Sequence, residues 1–184
     1  MRLSRNMWLA AAVTAALVGS ALVPGSGAAR PDKKLHSFAG SCSLQGTSTQ
    51  DPPLTNDQQL VSVTADFSGT CSGTLDGRNV SDAPVTSHNT AQADASCLQA
   101  RTIEPGDGTI SFADGTTIRY TLEFAFVLTE GDVTLHGKRS GSAHGHASFL
   151  TDRTPPDTSS KCAGEGIAEA PLDATLTTDS PLVS

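Results

Sequence analysis

The sequence predicts an all-β fold: an up-and-down (meander) β-barrel, with a two-sheet β-sandwich as the alternative. Three observations carry this reading. Apolar side chains recur at every second position in segment after segment, the period of a strand with one buried face. Turn-forming clusters such as Asp76-Gly77, Pro105-Gly106 and Asp114-Gly115 separate those segments. No stretch beyond residue 29 repeats with a helical period, and a chain of strands with regular turns closes as a barrel or a sandwich. One-sided alternation and short connections favour the meander.

Residues 1–29 stand apart from the fold. Arg2 and Arg5 precede an almost uncharged apolar stretch from Trp8 to Val23, and Ser26-Gly27-Ala28-Ala29 supplies the small residues of a cleavage site. That is the pattern of a secretory signal peptide, with an uncleaved anchor as the alternative. Residues 30–36 form a short polar arm, 37–178 a single β domain, and 179–184 a tail without pattern.

Within the domain, Phe38-Ala39-Gly40-Ser41-Cys42-Ser43 and Phe67-Ser68-Gly69-Thr70-Cys71-Ser72 repeat Phe-x-Gly-x-Cys-Ser and read as strands. Thr49 to Gln59 and residues 76–84 have loop composition. The next strand buries Ala91, Ala93, Ala95 and Cys97, a face with so little bulk that it implies tight sheet packing or a space. Thr109 to Phe112 is a short strand. It leads into the strongest element, in which Ile118, Tyr120, Leu122, Phe124, Phe126 and Leu128 alternate with Arg119, Thr121 and Glu123. A turn at Glu130-Gly131-Asp132 reverses the chain into a single returning strand, Val133 to Phe149. Its inner face is small, with Gly137, Gly141 and Gly145 marking a bulge, a bend or a close backbone approach, and with Arg139 as the one buried-charge candidate. Pro155-Pro156 marks a loop, and Cys162 to Thr177 is the last periodic segment.

Four cysteines in an exported chain imply two disulfides, with three possible pairings. Strands running alternately up and down place Cys42 and Cys71 at one end of the sheet on one face, which leaves Cys97 for Cys162. The second pairing holds only if Thr109 to Phe112 is not a full crossing of the sheet. Gly69-Thr70-Cys71-Ser72-Gly73 has the spacing of a nucleophile elbow, but an elbow requires a helix directly after it, and here strand alternation continues.

His144-Gly145-His146 sets two imidazoles about 7 Å apart on one polar strand face, a spacing metal sites use. Glu123 across the hairpin, or His88, would supply a third ligand; the plainer reading is a solvated face. His136 shares that face but lies too far along it. Glu130-Gly131-Asp132 and Asp107-Gly108 lack the ordered ligand spacing of a calcium loop. A metal ion is the only cofactor these residues suggest. Without Arg2 and Arg5, 10 basic residues face 19 acidic ones, a net charge of −9, which disfavours nucleic acid as a partner. No segment after the signal peptide is long and apolar enough to span a membrane.

The signal peptide, Gly40-Ser41-Cys42 followed by Pro52-Pro53-Leu54-Thr55, Gly69-Thr70-Cys71-Ser72-Gly73-Thr74-Leu75 and Ala83-Pro84-Val85 together resemble small secreted all-β proteins of high-GC actinobacteria that have no assigned function. The resemblance implies export and an all-β fold, and transfers no catalytic residue. Calycin-type barrels such as lipocalins share no motif with the chain. The functional reading is a non-catalytic extracytoplasmic binding or structural module whose ligand or protein partner is unspecified. Its alternatives are a small-ligand carrier, with Ala91, Ala93, Ala95, Gly137, Gly141 and Ala143 around a cavity, and a metal-binding protein or enzyme using His144 and His146.

Overall fold

The computed structural model describes residues 34–149 and 160–184; the segment expected to be a signal peptide and Pro155-Pro156 lie outside them. Nine strands follow one another: β1 (Ser37–Leu54), β2 (Gln59–Leu75), β3 (Arg78–Ala95), β4 (Gln99–Thr102), β5 (Gly106–Phe112), β6 (Thr117–Val127), β7 (Glu130–Gly137), β8 (Ser140–Phe149) and β9 (Ile167–Val183). All belong to one antiparallel sheet. β1 pairs with both β2 and β9, and the β2–β3 pairing joins the two arms, so the hydrogen bonds run in a closed ring. Among the described residues every strand has a neighbour on both sides, and the fold is a barrel-like meander rather than a sandwich. β4 and β5 run in the same direction between β3 and β6, interrupted at residues 103–105, and so share one place in the ring.

Two ends result. The tight end carries the turns at 76–77, 113–116 and 138–139, and the loop end carries 55–58, 96–98, 128–129 and 160–166. At the tight end, large side chains fill the interior: Phe38, Leu75, Val85, Ile110, Phe112, Ile118 and Leu182 are all buried. Phe38 opposes Leu75 on one side and Leu182 on the other, with its ring 5.4 Å from that of Phe112. Asp76-Gly77 turns the chain with both residues at positive φ, the geometry an Asp-Gly hairpin favours. Asp114 accepts the Thr116 N–H, and beside the Arg78 guanidinium its carboxyl is held down to about 2.

Both disulfides pair as expected, Cys42 with Cys71 and Cys97 with Cys162. Cys42 and Cys71 are direct cross-strand partners. Cys97 and Cys162 meet at the loop end, but not for the reason of strand order given above. The β4–β5 crossing is complete, which alone would send Cys162 to the wrong end. A second unexpected reversal restores the order: the returning strand is really β7 and β8, joined at Lys138-Arg139. Five residues, 137–141, lie between the paired His136 and Ser142, and that odd number keeps odd positions inward on both strands, so the alternation passes through unbroken. Arg139 is exposed there and is not a buried charge.

Other boundaries also shift. β1 extends through Pro52 and Pro53, which lie beyond its last residue paired with β2, Asp51, so their missing N–H groups break no bond of that ladder. β3 begins directly after Gly77 and absorbs the segment 78–84 through a bulge, where Asp82 takes positive φ and its N–H donates to Ser72 Oγ. Glu130, Gly131 and Asp132 belong to β7. The reversal falls at Leu128-Thr129 instead, since Val127 pairs with Glu130. Cys162 sits in a short helical turn at 160–163, too brief to show a period. The 179–184 tail is largely β9, with Leu182 in the core.

Leu128 occupies a hairpin position that favours glycine, at φ 57°. Its side chain is exposed, so replacing it removes strain without opening the core. Leu128→Gly is expected to raise the unfolding free energy by about 1 kcal/mol, read as a higher urea midpoint at unchanged slope.

Candidate ligand cavity

The same inward parity that packs the tight end leaves space toward the loop end. There β2, β3, β4 and β5 turn small residues inward: Ala65, Ala91, Ala93, Ala95 and Ala100, with Gly106 and Gly108. Ala93 and Ala95 pack tightly with Val61, each almost fully buried. Ala91 instead lines a cavity of about 90 Å³. Phe124, Phe126 and Phe149 form the opposite wall, the Phe126 ring centroid 5.6 Å from Phe124 and 5.0 Å from Phe149. A second chamber of about 100 Å³ continues toward the loop end and shares Leu54, Ala100, Phe126 and Phe149 with the first. Its outer wall includes Cys97, Leu128 and Lys161.

The small-residue expectation therefore holds in part. Ala91 and Ala95 line the inner chamber, whereas Ala93, Gly137, Gly141 and Ala143 do not. Gly141 serves a close backbone approach: a Cβ there would lie 1.8 Å from the Pro181 carbonyl oxygen.

A buried polar network stands at the inner end of the cavity. The Tyr120 hydroxyl donates to Asn89 Oδ1 at 2.7 Å and lies 3.0 Å from Ser87 Oγ. Asn89 Nδ2 donates in turn to Ser87 Oγ at 3.0 Å and to the Ala65 carbonyl at 3.4 Å. The Tyr120 ring lies over Gly108, where a Cβ would come within 2.2 Å of it. Desolvation pushes the phenol up to about 12, against the smaller opposing effect of the Ser87 and Asn89 hydrogen bonds.

The folded state thus holds this proton more tightly than the unfolded chain, whose tyrosine titrates near 10. The resulting stability is complete below about pH 10 and lost as the pH rises toward about 12, a loss of about 3 kcal/mol. Tyr120 is the chain's one tyrosine, so tyrosinate absorbance should report its midpoint directly. The corresponding alkaline loss of stability should be missing from Tyr120→Phe. A native midpoint near 10 would contradict the burial.

A second polar pair lies on β1. Ser48 and Gln50 are buried against the inner chamber, with Gln50 Nε2 donating to Ser48 Oγ. Gln50 Oε1 has no hydrogen-bond partner among the described residues. Between Thr49 and Leu54 β1 has four residues where β9 has one between Glu169 and Ile167, so the ladder swells beside Gln50.

No protein-family model, curated protein or solved structure matches this chain. Its chemistry is read from the geometry alone.

The structure does not bring the metal-ligand candidates together. His144 and His146 are exposed on the outer face, and each meets a different carboxylate: His144 Nδ1 is 2.6 Å from Asp179 and His146 Nδ1 is 3.6 Å from Asp132. Glu123 is also exposed, and Thr134 lies between it and His144 in the sheet register. His88 faces Asp66 on another part of the ring, at 2.6 Å. Among the described residues no three His, Cys, Asp or Glu side chains are placed to hold an ion. Asp107 and Asp132, from the candidate calcium segments, pair instead with Lys138 and His146. Cys71 is bonded to Cys42 and forms no nucleophile elbow.

Sequence reasoning missed Ser48, Gln50, Ser87 and Asn89. Gln50 fell within an expected loop, and Ser87 and Asn89 preceded the expected start of their strand. The available signal was parity: extending the Ala91 alternation backward puts Ser87 and Asn89 on the inner face.

Proposed function

We propose that this protein is an extracytoplasmic, non-catalytic carrier of a small apolar molecule held inside its strand ring. The observation that carries the reading is the two-chamber cavity walled by alanine on one side and phenylalanine on the other. Ligand sites are concave, mostly apolar and supplied with a few placed polar groups, and a ring of this size has room for one small ligand. Combined, the chambers are of the order that accepts a benzene-sized ring or a short chain.

Two further features support it. Leu60, Leu98, Val127 and Leu128 are exposed around the loop end, giving an approaching apolar molecule a surface to meet before entry. Two disulfides are typical of extracytoplasmic proteins, which agrees with the signal-peptide pattern. No helix among the described residues is long and apolar enough to cross a membrane.

Native mass spectrometry of the protein recovered from an exporting host tests the proposal. A bound small-molecule mass that disappears on denaturation is expected, and Ala91→Leu, which fills the inner chamber, should reduce its occupancy. Bound mass unaffected by Ala91→Leu, with the variant folded, would move the ligand out of the cavity.

A further inference from the structure

Resting on that carrier reading, we propose that the ligand carries a hydroxyl group, and that Gln50, supported by Ser48, is the residue that recognises it. An apolar chamber does not by itself require a polar ligand. What requires one is an amide that is only 6% exposed and half satisfied.

Among the described residues Gln50 has a single partner at its amide, the Ser48 hydroxyl, itself buried. Whichever way the amide lies, one of its two polar atoms meets Ser48 and the other remains unpaired. A buried amide left in that state is unfavourable, and a hydrogen-bonding group that enters the chamber Gln50 lines would relieve it once the amide turns toward it. A hydroxyl both donates and accepts, so it matches either orientation of the amide. A carboxylate, by contrast, would enter an apolar enclosure without a cation, since among the described residues no Lys or Arg lines the inner chamber.

The Tyr120, Asn89 and Ser87 groups do not create the same demand. Their hydroxyls and amide bond to one another and to the Ala65 carbonyl, so they form a satisfied end wall. Among the described residues Gln50 alone combines burial, a place on the chamber wall and an unpaired polar atom. The swelling of β1 against β9 occurs beside it, and bulges of this kind commonly re-aim a side chain at a site.

The test compares phenol with toluene, nearly matched in shape and differing in the hydroxyl, by calorimetric titration of the disulfide-intact protein. Phenol should bind at least about tenfold more tightly than toluene, because a site with a buried unpaired polar group penalises the ligand that cannot satisfy it. Gln50→Leu should abolish or invert that preference, and Tyr120→Phe should retain it. Gln50→Met repeats the comparison if the leucine variant does not fold. Toluene binding as tightly as phenol would overturn the hydroxyl assignment while leaving the carrier reading in place. Binding of neither would overturn both. A preference lost in Tyr120→Phe but kept in Gln50→Leu would assign recognition to the tyrosine network and overturn the role of Gln50.

Discussion

Replacing Cys97 and Cys162 together by alanine should lower the unfolding free energy by about 4 kcal/mol, slightly more than the same change at Cys42 and Cys71. The order follows from loop length: the two bridges close 65 and 29 residues, and the entropy withheld from the unfolded chain grows slowly with that number. The Cys97–Cys162 bridge also clamps the β1–β2 connection. The Cys97 N–H donates to the Thr55 carbonyl at 2.7 Å, and the Asn56 N–H donates to the Cys162 carbonyl at 3.2 Å. Its removal should therefore speed amide exchange at Asn56 and Cys97 before strands near the tight end are affected. Urea unfolding of the two double variants checks the ranking, and a loss at Cys97 and Cys162 below about 1 kcal/mol would contradict it.

Gly108→Ala is expected to destabilise by about 3 kcal/mol, large for the addition of one methyl group. The new carbon would lie 2.2 Å from the Tyr120 ring and 2.5 Å from Asn89 Oδ1. Neither side chain can yield independently, because the Tyr120 hydroxyl, Asn89 and Ser87 are bonded as a unit. Displacing the ring breaks those bonds and rehydrates the phenol. The variant's tyrosinate midpoint should thus fall from about 12 toward 10 along with its stability. A destabilised variant with an unchanged midpoint would show that the network is not what Gly108 accommodates.

How far the sequence foretold this arrangement can be judged residue by residue. The strand face of Ile118, Tyr120, Leu122, Phe124 and Phe126 was evident because strict alternation admits one period, and these residues do face the interior. The weak side-chain bulk around Ala91 signalled either tight packing or space, and both occur within a few residues of each other. Closure was implicit in the meander barrel the sequence predicts, but the pair that seals it was not, since β1 meets β9 across most of the chain. The Lys138-Arg139 turn stayed hidden because five residues separate the paired His136 and Ser142, with Gly141 at positive φ, and that odd number leaves parity intact. Gln50 was obscured by its neighbours Asp51, Pro52 and Pro53, which have the composition of a loop although β1 continues through them. The His144-His146 pair was correctly placed on one polar face, but register across three strands separates it from Glu123.

The central claim is that the interior, not the surface, takes the ligand. Titrating the isotope-labelled protein with phenol and with toluene while following side-chain methyl and aromatic resonances distinguishes the two. The account requires saturable shifts at cavity-lining residues such as Ala91, Leu122, Phe124 and Phe149, their suppression in Ala91→Leu, and little change at Leu75 or Leu182 in the packed tight end. Shifts confined to the exposed Leu60, Leu98, Val127 and Leu128, or none with either phenol or toluene up to its solubility limit, would contradict it.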